Sequence, residues 1–143
     1  MNLGFIVNNL GNSELNYDLL KEINSRPEIS QCIFFQNHMP SIIIPECLTM
    51  GVYGLSNFKG KAVAFDLQSA SIVSQTNCKT ENYLYLYNIE WLYGSINYQA
   101  AIELLKKFTI FARSESHKNI IENYCGQEVK VVKSIKGLVE CLK

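Results

Sequence analysis

Phe108-Thr109-Ile110-Phe111-Ala112-Arg113-Ser114-Glu115-Ser116-His117-Lys118 changes its period within a few residues. Through Ala112 it is apolar at every position but Thr109, as in a strand covered on both faces; from Ser114 the spacing becomes helical. Ser114 offers a capping oxygen and Glu115 an acid for the first turn. His117, Ile120, Ile121 and Tyr124 then form a stripe that ends before Gly126. The same alternation extends downstream. Val129 to Val132 reads as a strand, and Ser134 caps a last helix in which Ile135, Leu138, Val139 and Leu142 share one side, although Gly137 costs it about 1 kcal/mol.

Upstream, Tyr98, Ala101, Ile102 and Leu105 recur at i, i+3, i+4 and i+7, with Lys106 and Lys107 where cations favour a helix C-terminus. Tyr83-Leu84-Tyr85-Leu86-Tyr87 is a strand. Ala62-Val63-Ala64-Phe65 is another, preceded by a Lys59-Gly60-Lys61 turn and followed by Asp66 as cap of a helix from Leu67 to Gln75. Near the N-terminus, Leu3 to Val7 is a strand that stops at the turn formers Asn8-Asn9-Leu10-Gly11-Asn12. Asn16 caps a helix over Tyr17 to Asn24, Pro27 closes it, and Ile29 to Phe35 is a second strand. Between Asn37 and Gly60, Ile42-Ile43-Ile44, Cys47-Leu48 and Val52-Tyr53 are broken by Pro40, Pro45, Gly51 and Gly54. One short edge strand in irregular backbone is expected there.

Strands alternating with helices along the whole chain predict a single Rossmann-like α/β domain over residues 1–143. It should be doubly wound, with a mostly parallel sheet of about six or seven strands and helices on both faces, the 40–60 region being the place for any non-parallel piece.

Composition narrows the function classes. The 143 residues, 48% of them hydrophobic and 18% charged, suit one folded globular domain. Thirteen basic and thirteen acidic side chains cancel, so the field that drives non-specific nucleic-acid binding is missing. No apolar run reaches the roughly 18–20 residues of a membrane span and the N-terminus lacks a signal-peptide layout, so no membrane partner and a cytoplasmic location are expected. Cys32, Cys47, Cys78, Cys125 and Cys141 form no C-x-x-C pair, a pattern of reduced thiols. With His38 and His117 as the only imidazoles, no metal site is expected.

In open parallel sheets, ligands bind beyond the C-terminal strand ends, where the strand order reverses. With order 3-2-1-4-5-6 that crevice sets Asn8, Asn9 and Gly11 opposite Asp66. Asn37, Asn88, Glu90, Arg113 and Ser114 close neighbouring strand ends. Asp66, Ser114 and Ser134 also read as helix caps, and a cap at such a junction can meet a ligand as well. His117 reads as a packed histidine, and His38 lies in a loop without a nearby partner. The loop after the first strand holds only Gly11, so there is no G-x-G-x-x-G turn and no P-loop lysine, and nicotinamide or ATP as cofactor is disfavoured. No G-x-S-x-G elbow points to a hydrolase.

The run Phe108 to Lys118, with Ile120-Ile121-Glu122-Asn123-Tyr124-Cys125-Gly126 and Val129-Lys130-Val131-Val132, resembles the end of the N-terminal domain of GT-B glycosyltransferases. There a strand ends in a serine followed by an acid, a helix ends near a glycine, and a short strand leads to the linker. Phe58 to Leu67 and Tyr83 to Leu92 are similar to the paired strands of glycosyltransferase-like proteins found in some phages. The resemblance implies an acceptor-side half, a nucleotide sugar or glycan as ligand, and a donor domain supplied by a separate partner or a second copy. The apolar residues between Ile42 and Tyr53 are a candidate contact surface for such a homo-oligomer. In an enzyme of this kind Asp66 or Glu90 is the candidate base for an acceptor hydroxyl and Arg113 a candidate phosphate ligand. The competing class is a non-catalytic binding or assembly module.

Overall fold

Seven strands and five α-helices, alternating except between the second and fourth strands, make up a computed structural model that describes residues 1–39, 41–76, 79–89 and 97–143. In chain order they are β1 (Asn2–Leu10), α1 (Glu14–Asn24), β2 (Ser30–His38), β3 (Leu48–Gly51), a 3₁₀ helix (Val52–Asn57), β4 (Lys59–Ala64) and α2 (Leu67–Gln75). There follow β5 (Lys79–Leu86), α3 (Tyr98–Leu105), β6 (Thr109–Ala112), α4 (Glu115–Cys125), β7 (Val129–Val131) and α5 (Ile135–Leu142). The strands form one sheet in the order β3-β2-β1-β4-β5-β6-β7, and every neighbouring pair is parallel. The chain winds outward from β1 to β3, returns to place β4 on the other flank of β1, and winds outward again to β7. This is a Rossmann-like α/β fold with its switch between β1 and β4.

The two-residue period of the strands divides the core between two faces. Leu3, Phe5 and Val7 of β1, with Val63, Tyr85 and Phe111, pack against Leu19, Leu20 and Ile23 of α1 and against all four apolar residues of the α5 stripe. Ile6, Ala62, Ala64, Leu84, Leu86, Ile110 and Ala112 face the other way, onto α2, α3, α4 and Leu55 of the 3₁₀ helix. Helices therefore cover both faces. Each fully buried Leu or Ile on them contributes roughly 1.5–3 kcal/mol.

The five described α-helices begin alike: a polar side chain in extended conformation accepts the backbone N–H three residues on. The pairs are Ser13 with Asn16 (3.0 Å), Asp66 with Ser69 (2.6 Å), Asn97 with Ala100 (2.9 Å), Ser114 with His117 (3.2 Å) and Ser134 with Gly137 (3.1 Å). Three of these caps match the reading of the sequence, and the first corrects it. Ser13, not Asn16, caps α1, because Ser13 holds the extended φ of −151° that a cap needs, whereas Asn16 lies inside the helix and is buried.

Other expectations also shift. Lys59-Gly60-Lys61 is no turn but the start of β4. At Gly60 (φ 147°) a Cβ would lie 2.4 Å from the carbonyl oxygen of Asn2, so only glycine lets β4 close on β1. The single strand of the 40–60 region, β3, is parallel like the rest, so this region holds no exception among the described residues. In α4 the stripe is thinner than its spacing suggests. Ile121 is its one buried residue, Ile120 is exposed, and Tyr124 is half-buried against the edge of the Tyr98 ring at 5.0 Å.

Candidate functional site

β1 continues to Leu10 beyond its last pair with β4, Ile6 with Ala64, where β4 itself ends, and this stagger builds the crevice. Past that pair, Asn8 rises beside the chain as it leaves β4 through Phe65 and Asp66. Its Nδ2 donates to Asp66 Oδ2 at 2.7 Å. The backbone N–H of Ser69 donates to Asp66 Oδ1, and the buried Ser69 hydroxyl donates to Asn8 Oδ1 at 3.4 Å. Each oxygen of Asp66 is thus engaged. Burial pushes its carboxyl above the ordinary carboxylate range, with the hydrogen bonds from Ser69 pulling the other way.

A crevice of about 230 Å³ opens over this pair, walled by Asn8, Asn9, Asn16, Asp66, Tyr87 and Asn88, with Glu14 at the start of α1. Asn16 shapes it from beneath: its Nδ2 donates to the carbonyls of Asn9 (2.9 Å) and Gly11 (2.7 Å), tying the β1–α1 turn to the helix it precedes. A buried amide with both bonds made is worth about 1–3 kcal/mol against leaving those carbonyls unpaired.

A second crevice, of about 340 Å³, adjoins the first and shares Glu14 and Tyr87 with it. Glu14, Asp18 and Glu22, one turn apart on α1, line one side, and Arg113, Lys133 and Lys136 bring positive charge to it. Arg113 stacks on the Tyr87 ring, 4.0 Å from its centroid, and its Nη1 donates to the Tyr87 carbonyl at 3.1 Å. Nη2 lies 3.9 Å from Glu14 Oε1. The Tyr87 hydroxyl donates to Asp18 Oδ2 at 3.0 Å, and burial together with this bond drives its phenol pKa up. The buried Tyr85 hydroxyl donates to the Val132 carbonyl at 2.9 Å, and burial pushes that phenol up to about 12.

Of the residues singled out in the sequence, Asn8, Asn9, Asp66 and Asn88 meet in the first crevice and Arg113 enters the second. Gly11 lies buried under the rim, where a Cβ would stand 3.0 Å from that of Met39. Asn37 pairs with Asn9 across β1 and β2 and is exposed one strand further out. Ser114 caps α4, with its hydroxyl 3.1 Å from that of Ser116, and lines neither crevice. Glu90 lies outside the described residues.

The sequence reading missed Asn16, Tyr87 and the acids of α1. Glu14, Asp18 and Glu22 at i, i+4 and i+8 were a legible acidic stripe, whereas the stacking of Tyr87 under Arg113 joins strands by sheet order and leaves no local signal. Among the described residues no three His, Cys, Asp or Glu side chains converge to hold a metal ion, and no helix is long and apolar enough to cross a membrane. Comparison of the chain with protein-family models, curated proteins and solved structures returns no match, so its residues and geometry carry the functional reading.

Proposed function

We propose that this domain binds a hydroxyl-rich ligand, a glycan or the sugar of a nucleotide sugar, in the crevice at the β1–β4 switch. In this reading it serves as the acceptor-side half of glycosyl transfer without performing the transfer by itself. The observation that carries the reading is the wall of the crevice: carboxamides (Asn8, Asn9, Asn88) and the carboxylates of Asp66 and Glu14, with no lysine or arginine among the described residues that line it. A carboxamide both donates and accepts, which matches a hydroxyl. An isolated phosphate would instead seek cations, and these line the adjoining crevice around Arg113. A phosphorylated ligand would therefore extend from the first crevice into the second.

Binding stands ahead of catalysis because of Asp66. Both of its oxygens already accept hydrogen bonds that hold α2 and Asn8 in place, so its position is set by a structural task and only its remaining lone pairs face the crevice. Calorimetric titration with monosaccharides and nucleotide sugars, beside ¹⁵N chemical-shift mapping, tests the reading. Saturable binding with shifts at Asn8, Asn9 and Asn88 is expected, and Asn88→Ala should weaken it roughly tenfold at unchanged melting temperature, the loss of a hydrogen-bonding side chain on an exposed rim. Absence of any such shift at millimolar ligand would overturn the reading. Turnover by this chain alone would replace it with the enzyme and return Glu90 as the candidate base.

A further inference from the structure

The two edges of the sheet are finished differently. At one, β7 is three residues long and carries Lys130 at its centre, with Glu128 before it and Lys133 after. Charges on a short strand are the usual guard against edge-to-edge pairing. At the other edge, β3 is Leu48-Thr49-Met50-Gly51, with no charge, and its outer backbone groups face no described strand of this sheet.

Apolar side chains flank that open edge on both faces. Leu48 and Met50 pair in register with Cys32 and Phe34, so they share the face of α2 and the 3₁₀ helix. Leu48 is 61% exposed there, and Tyr53 of the 3₁₀ helix is 94% exposed. Thr49 pairs with Ile33 and shares the face of α1. On that side residues 41–47 run beside α1, held by Asn24, whose Nδ2 donates to the Ile44 carbonyl (2.8 Å) and whose Oδ1 accepts from the Glu46 N–H (2.9 Å). Ile42 and Ile44 on that stretch are 84% and 79% exposed.

We propose that β3 pairs with β3 of a second copy of this chain, antiparallel about a two-fold axis normal to the sheet, making one continuous sheet of the two. Such an axis keeps each face of the sheet on its own side, so residues opposite one another must have the same parity. An axis at Thr49 sets Thr49 against Thr49 of the second copy and Leu48 against Met50 of the second copy. The second pair closes the exposed Leu48 on one face. On the face of Thr49, Ile42 and Ile44 add exposed apolar surface along the stretch tied to Asn12 and Asn24.

The area fits a dimer. Ile42, Ile44, Leu48 and Tyr53 together expose the equivalent of about three whole side chains, on the order of 400–500 Å² of apolar surface. A standard interface takes roughly 800 Å² from each partner, about 60% of it non-polar, an amount this surface supplies when all four side chains enter the contact. A two-fold contact also needs only one patch, because the surface is its own complement.

Sedimentation velocity over a micromolar concentration series tests this. A dimer is expected for the natural chain. Leu48→Lys and, independently, Tyr53→Lys should shift it to the monomer while circular dichroism stays unchanged, since both side chains are already exposed. Lys130→Glu at the opposite edge should leave the dimer intact. Thr49→Cys should give a covalent dimer under mild oxidation, with mass spectrometry identifying a disulfide that joins the substituted position of one copy to the same position of the other. A natural chain that stays monomeric throughout, or a dimer that survives Leu48→Lys and Tyr53→Lys with the fold intact, would overturn the proposal. So would a dimer lost in Lys130→Glu.

Discussion

On the β4 to β7 side of the switch, a polar cap closes each strand-to-helix junction the structure describes; on the β1 to β3 side, the described part of the connection from β2 to β3 contains no α-helix. The first half is stabilised by short-range devices, with Asp66, Ser114 and Ser134 as caps and Gly126 in the left-handed conformation (φ 68°) ending α4. In the second half, residues 41–47 are held by the side chain of Asn24 on another element, and β3 lies against β2 with no described strand on its far side. The difference shows two ways to fix a chain. One is repeated locally at each junction, while the other depends on a few contacts across the fold and leaves apolar surface exposed.

The largest expected break in this contrast comes from one leucine in each half. Leu138→Ala on α5, fully buried in the core, should lower stability by about 3 kcal/mol through lost transfer energy and a cavity, whereas Leu48→Ala on β3 should cost under about 1 kcal/mol at concentrations where the chain is monomeric. Urea unfolding of both variants checks the pair. Next in size, Asn24→Ala removes two hydrogen bonds to residues 41–47 and should raise hydrogen exchange there selectively, with a stability loss of about 1–2 kcal/mol. Ser114→Ala should cost about 1 kcal/mol and loosen only the first turn of α4, read by hydrogen exchange at its first amides.

The smallest effect concerns pH. Burial raises the Asp66 carboxyl in the folded chain above its unfolded value, so the folded state binds that proton more tightly. Its contribution to stability is fully present below the ordinary carboxylate value of 3.8 and is lost as pH rises through the folded pKa. The stability of the natural chain relative to Asp66→Asn, measured by urea unfolding across the acidic range, should therefore fall as pH rises. A difference that instead grows with pH would mean that the hydrogen bonds from Asn8 and Ser69 outweigh desolvation.

Much of this architecture was legible because its causes are local. A cap acts over three residues and a helical stripe over four, so Asp66, Ser114, Ser134 and the α5 stripe could be read in place, and their alternation with apolar runs implied the parallel sheet. The illegible parts involve distant partners. The Asn16 side chain reaches back over five and seven residues to the turn carbonyls, and the stripe of α4 loses Ile120 to solvent because no described residue buries that turn. Lys59-Gly60-Lys61 resembles a turn by composition, yet close approach to Asn2 is what requires its glycine.

By itself, then, the sequence determined most of the strands and helices, the class of fold and the end of the sheet where polar residues collect, since propensity, capping and periodicity act within a few residues. Only the tertiary structure decided that Asn8 meets Asp66 across 58 residues, that Tyr87 bonds Asp18 across 69, and that Arg113 covers the tyrosine ring. These contacts depend on which strands are neighbours and how far each runs past the next. Both are set by packing the two faces of the sheet as a whole, and no short stretch of chain encodes them.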